Sequence, residues 1–180
     1  MKRSLYLAIA AIALVAVPRV SHAQLGALKP FQLGIAGGVA QPMSDTKDAA
    51  NLGYNATAAL GINLPFIPVG IRVDGAYNQF GEKANLGFKT RTVSATGNLV
   101  WRLPSVGISP YVIGGAGLYM VSVTPTGGSA TTENHMGWNA GAGIKLPLSV
   151  FKAFVEARYN NVSLDGGSMK FVPVTLGIMF

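Results

Sequence analysis

The chain has 180 residues, no cysteine, 23 glycines and only 12% charged residues against 49% hydrophobic ones. One domain's length without cysteine excludes a disulfide framework, a thiolate metal site and a cysteine lipid anchor. A charge fraction about half that of ordinary soluble domains means that much of the surface faces something other than water. The formal charge of +7 includes Lys2, Arg3 and Arg19 of an N-terminal segment; without them, 11 of the 14 cations remain against 7 acids, or +4. Those cations are scattered singly, with no basic stripe or run, which excludes a nucleic-acid partner.

Residues 1–23 have the form of a cleaved secretory signal. Lys2 and Arg3 open it, 5–17 is an apolar run of 13, Pro18 breaks the helix, and Ser21 and Ala23 place small residues before a cut ahead of Gln24. Thirteen apolar residues fall short of the roughly 20 that a helix needs to cross a bilayer. The remainder, 24–180, is expected to form one barrel domain.

From Gln24 onward, β-like runs cover 31–41, 52–64, 69–80, 90–103, 110–122, 136–146, 150–162 and 171–180. Eight runs, each near the roughly 9–11 residues of a tilted membrane strand, predict an all-β, eight-stranded antiparallel up-and-down transmembrane β-barrel. The breaks alternate: 42–51, 81–89, 123–135 and 163–170 are longer and polar, whereas 64–68, 104–109 and 147–149 are short and contain proline. Short turns on one side and long loops on the other place both termini on the periplasmic side of an outer membrane.

Side-chain parity sorts the two faces. Tyr54, Ala56, Ala58, Leu60 and Ile62 oppose Asn55, Thr57 and Asn63; Ile71, Val73 and Tyr77 oppose Arg72, Asp74 and Asn78. Leu99 and Trp101 oppose Asn98 and Arg102, and Val155 and Tyr159 oppose Lys152, Glu156 and Arg158. In the last run, Val172, Val174, Leu176, Ile178 and Phe180 form one apolar face. The apolar parity is too bulky for a narrow lumen and is expected to face lipid. The fifth run is apolar on both parities and assigns no face.

Aromatic residues sort by height. Phe31, Phe66, Trp101, Tyr111, Phe151 and Phe180 fall beside short turns or termini, and Tyr54, Tyr77, Tyr119, Trp138 and Tyr159 beside long loops. Two girdles at the lipid–water interfaces account for this. The inward charges Arg72, Asp74, Lys152, Glu156 and Arg158 are expected to meet across the lumen, because strands three and seven lie on opposite walls and an unpaired interior charge is costly. Arg102 and Lys145 are expected at a hydrated mouth. After the signal, His135 is the only histidine; it lies beside Glu133 with no serine at local spacing, so a catalytic site is not expected. One histidine and scattered carboxylates supply no metal cluster and no cofactor site, with Asp45 and Asp48 at most a weak surface Ca²⁺ site. The Gly-x-Gly pairs Gly115/Gly117 and Gly141/Gly143 lack a following helix and are expected to relieve crowding in a small barrel.

Phe154-Val-Glu-Ala-Arg-Tyr159 and Val172-Pro-Val-Thr-Leu-Gly-Ile-Met-Phe180 resemble the last two strands of the small eight-stranded outer-membrane β-barrels, the OmpA-like and OmpX-like proteins and opacity-type surface proteins. Pro110-Tyr-Val-Ile-Gly-Gly-Ala-Gly117 and Gly137-Trp-Asn-Ala-Gly-Ala-Gly143 resemble their fifth and sixth strands. The resemblance implies that Phe180 belongs to the signal read by the barrel-assembly machinery. No peptidoglycan-binding domain is expected after it. The expected role is that of a non-enzymatic, monomeric, integral outer-membrane protein, structural or surface-interacting, with membrane lipids as neighbours and the long loops available to an extracellular partner. The alternatives are a small diffusion pore through the lumen and a lipid-modifying enzyme around His135.

Overall fold

Alternating small and β-branched residues with glycines at close approaches build eight strands that each pair with their sequence neighbours. The computed structural model describes residues 31–44, 46–64, 67–82, 87–148 and 151–180. The signal segment 1–23, Asp45 and Phe66 lie outside the described residues. The strands are β1 (Phe31–Met43), β2 (Ala50–Asn63), β3 (Val69–Glu82), β4 (Phe88–Arg102), β5 (Ser109–Pro125), β6 (Thr131–Pro147), β7 (Lys152–Leu164) and β8 (Gly167–Met179). All neighbours are antiparallel, and β1 pairs with β8 to close the barrel. The expected count and topology stand.

Strand ends differ from the sequence reading. The expected long breaks 123–135 and 163–170 shrink because β5, β6, β7 and β8 continue into them, leaving 126–130 and the two-residue turn 165–166. His135 therefore sits on a strand, not in a loop. Residues 131–134 are exposed on both parities, so no alternation betrays a strand there. In the first long break a short helix, α1 (Thr46–Ala49), is held to β8 by the Lys170 amide donating to Thr46 Oγ1 at 3.0 Å. The asymmetry between the two barrel ends lies in strand extension, not loop length.

Parity sets the two surfaces as expected. Leu33, Ile35, Leu60, Val73, Leu99, Leu118 and Leu176 point outward and are exposed, while Arg72, Asp74, Asn98, Glu156 and Arg158 are buried inside. Phe31, Tyr54, Trp101, Trp138 and Phe180 are exposed on the outer surface. Tyr77, Phe151 and Tyr159 are half-buried there, in ring contacts that pair Tyr54 with Tyr77, Trp138 with Tyr159 and Phe151 with Phe180. Two aromatics correct the girdle: Tyr111 and Tyr119, each 1% exposed, point into the lumen. The doubly apolar β5 gave no parity contrast to reveal this. What the register reveals is space. Gly143 lies directly opposite Tyr111, where a Cβ would fall 2.5 Å from the ring, and Phe154 lies opposite Gly177 in the same way, at 2.6 Å. The Tyr111 and Phe154 rings each occupy the volume that a glycine leaves on the next strand.

β8 carries a proline in its interior, which supplies no ladder donor. Register places Pro173 opposite Arg158, between the pairs Ala157–Val174 and Asn160–Phe171. The Arg158 carbonyl instead accepts a hydrogen bond from Asn160 Nδ2 at 3.1 Å. At the closing seam, Phe180 and Leu33 exchange two backbone hydrogen bonds of 2.8 and 3.2 Å.

Gly38 tests closure. A Cβ there would run into the Val174 carbonyl and come within 2.8 Å of Thr175 Cα, whereas one at outward-facing Gly75 would meet nothing within 4 Å. Gly38→Val is expected to abolish the heat-modifiable, folded gel band, and Gly75→Ala to leave it intact.

Candidate functional site

The lumen is the chemically distinctive part of the molecule. β3 and β7 stand four strands apart in the closed ring, so their inward charges face one another. Each strand contributes two opposite charges two residues apart, Arg72 with Asp74 and Glu156 with Arg158, in antiparallel sense. Arg72 Nη2 donates to both oxygens of Glu156 at 2.8 Å, and Arg158 Nη1 donates to Asp74 Oδ2 at 2.9 Å. Along the strands, Arg72 Nε reaches Asp74 at 3.0–3.1 Å and Arg158 bonds Glu156. The four charges balance within one layer, where each faces two of opposite sign that take the place of water.

Neutral groups extend the layer around the wall. Asn98 Nδ2 donates to Asp74 Oδ2 at 2.9 Å, Asn139 Nδ2 donates to Asn98 Oδ1 at 2.9 Å, and Tyr111 Oη donates to Glu156 Oε2 at 2.7 Å. Toward the end of the barrel away from the termini, here the hairpin end, Asn55 Nδ2 donates to Asn78 Oδ1 at 2.6 Å, Asn78 Nδ2 to Thr92 Oγ1 at 3.1 Å, and Tyr119 Oη to Asn160 Oδ1 at 2.9 Å. A cavity of about 30 Å³, lined among others by Asn78, Thr96, Arg158, Asn160 and Phe171, lies in this polar zone; its size suits one or two water molecules.

Apolar layers cap the polar zone at both ends. Toward the hairpin ends Phe80 packs edge-on against Phe171 at 5.3 Å, with Ala40, Tyr119, Val121, Val162 and Met169 around them. Toward the termini, Phe154 packs with Met179 and Ala59, and Val100 with Tyr111 and Ile113.

Two cations depart from their expected places. Lys152 keeps the inward parity, opposite Met179, but lies beyond Phe154 at the rim and is exposed. It does not join the network, because the Phe154 layer separates it from the charges. Lys145, expected at a hydrated mouth, is 8% exposed and sits over the Tyr111 ring at 5.2 Å, a cation–π position. Arg102 remains partly exposed and donates to Asn63 Oδ1 and the Ile67 carbonyl, both at 2.8 Å. His135 lies 3.5 Å from exposed Glu133. Among the described residues no group of three His, Asp or Glu side chains is placed to hold a metal ion. Thr92 and Asn139 are members of the lumen network that the sequence does not single out, and Tyr111 and Tyr119 are members it places in the girdles; Gly143 and Gly137, each against one of these rings, are the signal that marks them.

A closed eight-stranded barrel with outward apolar residues and a polar, packed lumen has the fold of the small outer-membrane barrels. The solved structures agree. Neisserial surface protein A aligns with TM-score 0.69 at 15% identity over 83% of this chain and 96% of that one. The N-terminal β-barrel domain of Pseudomonas aeruginosa OprF aligns at 0.52, 15% identity, 83% and 97%. Ail, the attachment invasion locus protein of Yersinia pestis, crystallised with a heparin analogue, aligns at 0.50, 20% identity, 83% and 99%. At these identities the likeness is one of fold. No protein-family model matches the sequence, nor does any curated protein.

Removing Arg72 leaves the buried layer with two carboxylates against the single cation Arg158. Arg72→Met is expected to lower the unfolding free energy in urea by about 3–5 kcal/mol. Lys152→Met, at the exposed rim, is expected to change it by less than about 0.5 kcal/mol.

Proposed function

We propose that the chain is an integral β-barrel of the bacterial outer membrane with a sealed lumen and a structural or surface-interacting role, without catalytic activity. The observation that carries this reading is the crossed pairing of Arg72 with Glu156 and Arg158 with Asp74, set between the Phe80–Phe171 and Phe154–Met179 layers. A path for ions would need both apolar layers and two buried ion pairs to open together.

The membrane setting is supported by the exposed outward row of Leu33, Ile35, Leu99, Leu118 and Leu176, bordered by Tyr54 and Trp138 at one end and by Phe31, Trp101 and Phe180 at the other. The chain's neighbours in fold are outer-membrane proteins, which supports the same setting. In this reading residues 1–23 direct export, both termini face the periplasm, and terminal Phe180 serves the assembly machinery. The neighbours' names cover a surface protein, a domain of a larger protein and an attachment protein, so the scaffold leaves the particular partner to the exposed rim.

Conductance in a planar bilayer tests the sealed lumen. The inserted barrel is expected to pass no reproducible single-channel current. A steady current altered by Glu156→Gln would make it a small diffusion pore instead.

A further inference from the structure

On its β3–β6 side the outer surface carries two cations that no described acid answers. On β4 the outward row runs Trp101, Leu99, Gly97, Ala95 and Val93, then changes to Arg91 and Lys89 toward the hairpin end; both are exposed. Val93 pairs with Tyr77 of the outer aromatic row. Arg91 is therefore one pleat repeat beyond that row, about 7 Å, and Lys89 one further. Register sets Gln79, Arg91, Ser122 and Thr132 side by side across β3, β4, β5 and β6, with Thr124 beside Lys89. Ser122, 4% exposed, and Thr132 share a hydrogen bond of 2.8 Å.

The acids of this rim lie on the other parity. Glu82 is on the lumen parity and accepts from Thr126 Oγ1 at 3.4 Å, and Glu133 shares the parity of His135, which it contacts at 3.5 Å. Neither Arg91 nor Lys89 makes an ion pair with a described carboxylate. Two free cations therefore face outward, immediately past an aromatic row that marks the edge of the hydrocarbon, flanked by Gln79, which accepts from the Tyr77 hydroxyl at 3.0 Å, and by the Ser122–Thr132 pair. At that depth the abundant anions are lipid phosphates, which guanidinium binds in a fork and ammonium as a point charge.

We propose that the outward face of β3–β6 at the hairpin end is a binding site for the phosphate of a glycolipid of the outer leaflet, held by Arg91 and Lys89 with Gln79, Ser122 and Thr132 beside them. The inference rests on the membrane reading above. The lipid is the source of the phosphate because Val93, Tyr77 and Met120 directly beneath offer its acyl chains an apolar wall.

The test uses the purified chain inserted into phosphatidylcholine vesicles, with heat-modifiable migration as the check of folding. Bisphosphorylated lipid A and the same lipid without phosphates are titrated against the wild type and Lys89→Gln/Arg91→Gln, and inorganic phosphate at millimolar level serves as competitor. The phosphorylated lipid should bind the wild type at least about tenfold more tightly than the variant, as loss of charged hydrogen bonds requires. The dephosphorylated lipid should not distinguish them, and inorganic phosphate should not displace the lipid. Equal affinity of wild type and variant for the phosphorylated lipid overturns the proposal, and displacement by inorganic phosphate replaces it with a free-phosphate site. Failure of the wild type to insert overturns the membrane reading and this proposal with it.

Discussion

Two guanidinium–carboxylate pairs, crossed at the centre of the barrel, are the constraint on which the rest of the molecule depends. Arg72 and Asp74 on one wall and Glu156 and Arg158 on the other leave no net charge in the layer. A single charge there would lack water and partner alike. The geometry works only if β3 and β7 hold a fixed height relative to one another. That height is transmitted through the intervening strands, whose register is continuous from Arg72–Asn98 through Asn98–Gly115 and Gly115–Asn139 to Asn139–Asn160. A slip of one residue would turn these charges to the outer surface.

The packing around the pairs follows from the narrowness of an eight-stranded ring. Tyr111 and Phe154 enter the lumen where the paired strand offers a glycine, Gly143 and Gly177. The same rings then finish the polar network, since the Tyr111 hydroxyl donates to Glu156 and its face receives Lys145. The aromatic layers, Phe80 with Phe171 at one end and Phe154 at the other, decide how far the polar zone extends. Beyond the outer aromatic row the same strands continue as a polar rim, where Arg91 and Lys89 face outward and the acids do not.

Strand number, topology and the two faces could be read from the sequence because a half-buried strand imposes a period of two, visible wherever one face is apolar and the other polar. Val73 against Asp74 and Val155 against Glu156 are such places. The reading failed where that contrast disappears. β5 is apolar on both parities, so its sequence gives Tyr111 and Tyr119 a height beside the girdles but no face, and both point inward. Residues 131–134 are wet on both parities and resembled a loop. Within the site, parity identified the inward charges but not their depth: Lys152 shares the parity of Glu156 yet lies beyond Phe154. Depth is a property of register across strands, which single-strand periodicity does not contain.

A double-mutant cycle on Arg72→Met and Glu156→Met, read from urea unfolding of the inserted barrel, measures the central interaction directly. The remaining pair, Arg158 with Asp74, stays balanced in the double variant, so the cycle isolates one bridge. A coupling energy of about 3 kcal/mol, with the double variant far more stable than the two single losses would sum to, is the expected result. A coupling within about 0.5 kcal/mol of zero would contradict a lumen held together by crossed ion pairs.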